Sequence, residues 1–65
     1  MDANKIASRL IALRGDKTRA EVANAVGISL SALTMYENGE RIPRDSIKVR
    51  LSKYYAVSVE SIFYT

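Results

Sequence analysis

The stretch TRAEVANAVGISLSALTMYENG, residues 18–39, decides the fold, because it holds two short helix patterns on either side of a tight turn. Thr18 and Glu21 have the spacing of a capping box, which predicts that a helix begins there. Gly27 most easily adopts the left-handed conformation that ends a helix, and Ser29 is a candidate cap for the next one. The sequence therefore predicts two short helices that meet at a tight turn.

The apolar residues of this stretch have the spacing that two packed helices need. Ala23 is small where the helices would cross closely, and Gly27 lies at the turn. The apolar contacts that would fix the interhelical angle come from Val22, Val26, Ile28, Leu33 and Tyr36. Several independent steric demands of a helix-turn-helix are thus met within one short window.

Helical patterns also lie on both sides of this stretch. Between Asp2 and Arg14, apolar residues recur at three- and four-residue steps, as in an amphipathic helix. Pro43 lies in a loop, after which Asp45 or Ser46 could cap a fourth helix that runs to about Tyr55.

A last short pattern closes the chain. Ser58 is a candidate cap for a helix that contains Val59, Ile62 and Phe63. No segment has the alternating pattern of a strand. We therefore expect one all-α domain of five helices over residues 1–65.

The composition argues against several kinds of function. The 65 residues include no cysteine, so neither disulfides nor thiolate metal sites can support the fold. They include no histidine, which removes the commonest general base and the usual zinc ligand. We therefore expect no enzyme activity, no metal and no cofactor. A formal net charge of +3 favours a polyanionic partner, although this signal alone is weak.

The hydropathy pattern gives no sign of a membrane protein. No apolar run approaches the roughly 20 residues that span a bilayer, and the amino terminus lacks the regions of a signal peptide. We expect a cytoplasmic location and no membrane partner.

Residues 6–63 resemble the Cro/repressor-like helix-turn-helix family, also called XRE-like, to which lambda-type phage repressors belong. The marks beyond the core pattern are Tyr36-Glu37-Asn38-Gly39, then Arg41 and Pro43 in the following loop, and Val57-Ser58-Val59 before the last helix. The resemblance implies a five-helix lambda-repressor-like domain in which helices two and three form the helix-turn-helix at about residues 18–38. It also implies a bacterial or phage origin.

The same resemblance implies a function. Helix three would lie in the major groove of double-stranded DNA, and helix two would cross the phosphate backbone. A homodimer would bind a pseudo-palindromic operator whose half-sites lie about one helical turn, roughly 34 Å, apart. We therefore expect a sequence-specific transcriptional regulator, most simply a repressor, with no small-molecule ligand.

The resemblance also assigns candidate DNA-binding residues. Those expected to face the bases are Ser29, Leu30, Ser31, Thr34 and Met35, while Asn38 lies on the same face and could reach a phosphate or a base edge. Helix three has no Lys, Arg or Gln, so bidentate contacts to guanine from Arg and to adenine from Gln are absent, and A·T-containing half-sites are favoured. The cations expected to bind phosphates are Lys17, Arg19, Arg41 and Arg44, with Lys48 as a candidate addition.

Arg19 departs from the family pattern, because many relatives carry glutamine there. A phosphate contact is still expected from Arg19, since guanidinium matches phosphate geometry and the start of a helix favours anions. In the family the residue matching Glu37 pairs with an arginine of helix one, which implies an Arg14–Glu37 ion pair here. A catalytic or metal carboxylate is the alternative for Glu37, but only Glu40 lies at a nearby helical step.

We expect the remaining aromatic residues to serve in packing and the remaining charged residues to be solvated. Helical spacing favours core or dimer packing over base stacking for Tyr54, Tyr55, Phe63 and Tyr64. The run Ile62-Phe63-Tyr64 is the candidate dimer contact, since so small a domain cannot bury every apolar group. We expect Arg9, Arg50 and Lys53 to be solvated.

Two other function classes compete with DNA regulation. A protein-binding adaptor or antitoxin-like module could use the same helical fold, and a partner that co-purifies would distinguish it. A small enzyme would need a nucleophile with a base, a metal cluster or a phosphate-binding glycine loop, and the sequence contains none of these patterns.

Overall fold

The computed structural model describes residues 1–65 and contains five α-helices and no strand. The helices are α1 (Ala3–Arg14), α2 (Arg19–Val26), α3 (Leu30–Glu37), α4 (Asp45–Tyr55) and α5 (Val59–Phe63). The predicted all-α, five-helix fold with its helix-turn-helix at α2 and α3 is therefore confirmed. None of these helices is both long and apolar enough to cross a membrane.

Local capping explains where most of the helices begin. The Thr18 hydroxyl accepts a hydrogen bond from the Glu21 amide at 3.1 Å. Ser29 and Ser58 cap α3 and α5 in the same way, at 3.0 and 3.1 Å. The capping box is only half formed, because the Glu21 side chain makes no return bond to the Thr18 amide. Each hydroxyl satisfies one of the amides that the first turn of a helix leaves unpaired.

The start of α4 differs from the prediction. Arg44 occupies the cap position in an extended conformation and makes no side-chain cap bond, whereas Asp45 is already the first helical residue. The proposal that Asp45 or Ser46 caps this helix is therefore wrong. The Asp45 carboxylate still lies in the first turn, where the helix dipole favours a negative charge.

The hydrophobic core draws on all five helices. Leu10 of α1, Val22 of α2, Leu33 of α3 and Leu51 of α4 are completely buried, and Phe63 of α5 is 2 % exposed. Burying a side chain of this size stabilises the fold by about 1.5–3 kcal/mol. Both α1 and α2 pack on α3, while α4 packs on α2 and α5. The side of α3 away from α1 and α2 is left open.

Two glycines make the turns on either side of α3 possible. Gly27 ends α2 with a φ of 82°, in the left-handed region. Gly39 follows α3 with a φ of 74°, and a Cβ there would lie 2.7 Å from Asn4 Oδ1. Both positions favour glycine because other residues are strained at these angles.

Two of the three candidate dimer contacts belong to the core instead. Ile62 and Phe63 are 1 % and 2 % exposed within a single chain, so neither can reach a second copy. The expectation that they contact a partner is wrong, because α5 turns both side chains inward onto the other helices. Tyr64 is 55 % exposed and is the one residue of that run that lies on the surface.

Lys48 is also buried, contrary to its assignment as a candidate phosphate contact. Its ammonium donates to the Tyr64 hydroxyl at 3.0 Å and to the Asp45 carboxylate at 3.4 Å. The hydrogen bond with Tyr64 raises the pKa of Lys48, partly opposed by burial, and Asp45 contributes further. These two partners hold the Lys48 ammonium against α4 and α5, where it is shielded from solvent.

Candidate nucleic-acid interface

The outer face of α3, formed by Leu30, Ser31, Thr34, Met35 and Asn38, is open to solvent to different degrees. Leu30 is 51 % exposed, Ser31 and Asn38 are exposed, and Thr34 and Met35 are half-buried. The Thr34 hydroxyl donates to the Leu30 carbonyl oxygen at 2.8 Å. Ser31 and Asn38 therefore carry the polar side chains of this face that have no partner within the chain.

The outer face of α3 is uncharged. The one charged residue of the helix, Glu37, is 2 % exposed and points into the protein. Ser29 precedes this face, and its hydroxyl oxygen already accepts the capping bond from Ala32. The chemistry that the face offers is apolar contact from Leu30 and Met35 and hydrogen bonding from hydroxyl and amide groups.

Glu37 lies at the centre of a carboxylate cluster, which we define as Glu37, Arg14, Arg19 and Tyr55. Arg14 Nε lies 2.9 Å from Glu37 Oε2, and Arg19 Nε lies 2.8 Å from Glu37 Oε1. The Glu37 side chain is fully buried. No group of three His, Cys, Asp or Glu side chains could hold a metal ion. Two cations on one carboxylate leave the cluster with one excess positive charge.

The two arginines of the cluster differ in their hydrogen bonds and in their exposure to solvent. Arg14 also donates through Nη1 to the Lys17 carbonyl oxygen at 2.8 Å, and its side chain is 18 % exposed. The hydrogen bond to Glu37 raises the pKa of Arg14, with burial opposing it. Arg19 uses only Nε within the chain and is 37 % exposed. The Nη groups of Arg19 therefore remain available at the first residue of α2.

Sequence reasoning anticipated the contact between Arg14 and Glu37 but missed the one between Arg19 and Glu37. Arg19 and Glu37 are 18 positions apart and belong to different helices. No local pattern pairs them. Only the crossing of α2 with α3 brings the start of one helix beside the end of the other.

Tyr55 completes the cluster with a buried hydroxyl that has no hydrogen-bond partner in the chain. Burial raises the pKa of Tyr55 to about 12, and the nearby Glu37 carboxylate adds to the shift. A phenolate here would be both desolvated and close to another negative charge, so the neutral phenol is strongly favoured.

Exposed cations border the outer face of α3 on two sides. Lys17 lies before α2, where its ammonium donates to the Tyr54 hydroxyl at 3.0 Å and sits 4.9 Å from the ring centre. Arg41 and Arg44 lie in the loop between α3 and α4. Both are exposed, and they line an open cleft of about 430 Å³ beside Ser29.

Arg9 and Arg50, which were expected to be solvated, contact other parts of the chain. Arg9 donates through Nη1 to the Ile62 carbonyl oxygen at 2.9 Å and also contacts the Thr65 carbonyl oxygen. Arg9 therefore ties α1 to the end of α5. Arg50 lines the same cleft as Arg41 and Arg44.

Comparison with known protein families gives one match. A family model described as helix-turn-helix matches residues 9–62, which include the second half of α1 and nearly all of the other four helices. Comparison with curated proteins and with solved structures gives no match. The matched span contains both the outer face of α3 and the cations beside it.

Proposed function

The chain belongs to the helix-turn-helix family of DNA-binding domains, and from this we propose that it is a transcriptional repressor that binds operator DNA as a dimer. In this proposal α3 enters the major groove and α2 crosses the phosphate backbone. Two copies bind the two halves of a pseudo-palindrome, and the occupied operator blocks polymerase.

The observation that carries this proposal is the arrangement of charge around α3. The helix presents an uncharged outer face, while exposed cations lie before α2 and after α3. A duplex docked on this face would meet base edges along α3 and phosphates on either side. The cations assigned to phosphates are Lys17, Arg19, Arg41 and Arg44.

Arg19 is the phosphate contact with the strongest structural support. Its Nε is held by Glu37 at 2.8 Å, which fixes the direction of the guanidinium and leaves both Nη groups free. The start of α2 adds a favourable dipole for an anion. One excess positive charge in the carboxylate cluster would be balanced by one phosphate.

The outer face of α3 supplies the proposed base contacts. Leu30 and Met35 suit the methyl groups of thymine, and the hydroxyls of Ser31 and Thr34 suit either donors or acceptors. Asn38 can bond a base edge or a phosphate, and Ser29 can donate its hydroxyl proton while it caps α3. With no arginine to bind guanine, A·T-containing half-sites are preferred.

The dimer surface of the proposal includes Tyr64, because the other two candidates are buried. Sedimentation of the wild-type chain with and without operator DNA tests this part. We expect a dimer on the DNA, and Tyr64→Ala should weaken it. A single protomer per operator at saturation would refute the dimer.

Selection of bound duplexes from a random-sequence pool tests the proposed function. We expect enrichment of an inverted repeat with A·T pairs in each half-site. Absence of any DNA binding at low salt would overturn the proposal and favour a protein partner instead. Recovery of invariant G·C pairs at the centre of each half-site would overturn the assigned base preference.

A further inference from the structure

The open cleft beside the first turn of α3 contains more positive charge than the proposed function uses. We define the arginine cleft by the loop of residues 41–44, the adjacent part of α4 and the turn before α3. Its charged lining residues are Arg41, Arg44 and Arg50, and no acidic residue lines it. Three arginines thus line one cleft of about 430 Å³.

These guanidinium groups are almost free of partners within the chain. Arg41 and Arg44 make no side-chain hydrogen bond and no ion pair, in contrast to Arg14 and Arg19. The only bond of Arg50 runs from Nη1 to the Gly27 carbonyl oxygen and is 3.4 Å long. Since no acidic residue lines the cleft, an anion that enters it is attracted by all three arginines.

The walls of the arginine cleft favour such an anion. Ile28, Ala32 and Ile47 line it, and apolar walls lower the local dielectric and strengthen the attraction of the arginines. Guanidinium binds phosphate oxygens through two parallel N–H groups, a geometry that an ammonium cannot supply. The chemistry of the cleft is therefore that of a phosphate site.

The place of the cleft in the fold identifies the source of the phosphate. Gly27 and Ser29 form part of its wall, so it opens next to the end of α3 that enters the groove in the proposed complex. The nearest phosphates to that end are those of the duplex itself. A phosphate of the DNA backbone would lie where α4 and the turn before α3 meet.

We propose that Arg50 is a DNA-phosphate ligand which, with Arg41 and Arg44, holds one backbone phosphate in the arginine cleft. This inference rests on the proposed DNA-binding function and extends it from the loop after α3 into α4. The bond from Arg50 to the Gly27 carbonyl oxygen is long, so the guanidinium can turn toward a phosphate at little cost.

The chain supplies a matched control for Arg50. Lys53 is an exposed cation on the same helix, and it does not line the arginine cleft. Arg50→Gln and Lys53→Gln remove the same charge from α4, so any difference between them reports the cleft rather than net charge. Arg41→Gln provides the reference for a phosphate contact within the cleft.

The experiment measures the affinity of a fluorescent non-specific duplex for each variant over a range of salt concentrations. For Arg50→Gln we expect affinity about three- to tenfold lower at low salt than for Lys53→Gln, and a salt slope shallower by about 0.9. Arg41→Gln should behave like Arg50→Gln. Thermal melting of each variant verifies that the fold is intact, since both arginines are exposed.

The outcomes separate this inference from the proposed function. If the wild-type chain binds the duplex but Arg50→Gln and Lys53→Gln have equal slopes, the inference is wrong and the proposed function stands. If the wild-type chain shows no salt-dependent binding at all, the proposed function fails and the inference fails with it.

Discussion

The inner and outer sides of α3 differ in both charge and burial. On the inner side, at the end of the helix, a fully buried carboxylate binds two arginines at 2.8 and 2.9 Å. On the outer side, Leu30 and Ser31 are exposed, and no charged group is present. One short helix thus joins a charged interior site to a neutral surface.

This difference assigns separate tasks to the two regions. The carboxylate cluster holds α1, α2 and α3 together through Glu37, and it aims Arg19 toward solvent. The exposed residues of the outer face, Leu30, Ser31 and Asn38, contribute little to the fold, so in the proposed complex they can change with the DNA sequence. Changes in the cluster should therefore alter stability and general affinity, whereas changes on the outer face should alter sequence preference.

Among changes to the carboxylate cluster, removal of the carboxylate itself should have the largest effect on the fold. Glu37→Ala leaves Arg14 and Arg19 facing each other without a counter-charge, which should lower the free energy of unfolding by about 3 kcal/mol. In a domain of this size the melting temperature should fall by roughly 12 °C or more. Thermal melting followed by circular dichroism measures the change.

Glu40→Ala is the matched control for this variant, because Glu40 is exposed and makes no ion pair. Its free energy of unfolding should change by no more than about 0.5 kcal/mol. Equal melting temperatures for the two variants would contradict a stabilising role for the cluster.

Substitution of the two arginines of the carboxylate cluster should affect DNA binding differently. Arg19→Gln should weaken binding of duplex DNA about tenfold at low salt and make the salt slope shallower by about one, because a phosphate contact is lost. Arg14→Gln should lower stability but leave the salt slope unchanged, since Arg14 is already used within the chain. Fluorescence anisotropy at several salt concentrations distinguishes them, and identical slopes for both variants would refute the division of roles.

Tyr55 provides a pH test of the same cluster. Since the folded pKa is raised to about 12 from a usual value of 10, the folded state holds this proton more tightly than the unfolded state. The resulting stability is complete below pH 10 and is lost as the pH rises toward 12.

Tyr55→Phe isolates this contribution from other groups that titrate at high pH. Because the variant lacks the unpaired buried hydroxyl, it should be more stable by about 1 kcal/mol at neutral pH. Between pH 10 and 12 it should lose less stability than the wild type in chemical denaturation. Parallel losses in the two proteins would show that Tyr55 does not titrate in this range.

Substitutions on the outer face of α3 should have the smallest effect on stability. Leu30→Ala should change the free energy of unfolding by no more than about 0.5 kcal/mol, whereas Leu33→Ala, one turn along the same helix but completely buried, should cost about 2–5 kcal/mol. Leu30→Ala should also alter the sequences that are selected from a random pool. A large loss of stability with unchanged sequence preference would contradict the assignment of this face to DNA.

Much of the fold is predictable because its signals are local. Thr18, Ser29 and Ser58 cap helices through amides only three residues away, and Gly27 ends α2 through its own backbone angle. Such features depend on neighbouring residues, so spacing alone identifies them. The start of α4 has no side-chain cap and could not be located in this way.

The errors in the candidate site all concern contacts between distant positions. Apolar spacing predicts that Ile62 and Phe63 are buried. It does not show whether they are buried in the chain's own core or against a second copy of the chain. From the sequence Lys48 looks like a surface cation, but its ammonium donates a hydrogen bond to the hydroxyl of Tyr64, 16 positions later. Arg50 likewise lines the arginine cleft only because the loop after α3 folds beside α4.

Nuclear magnetic resonance titration of the labelled 65-residue chain with duplex DNA tests the central claim most directly. The claim is that DNA binds to the outer face of α3 and to the cations beside it. The amide signals of residues 29–35, of the start of α2 and of the loop 41–44 should show the largest shifts or broadening, while those at the end of α5 should change only through the proposed dimer contact at Tyr64. Shifts centred on α5 and the carboxyl-terminal residues, with α3 unaffected, would contradict the account.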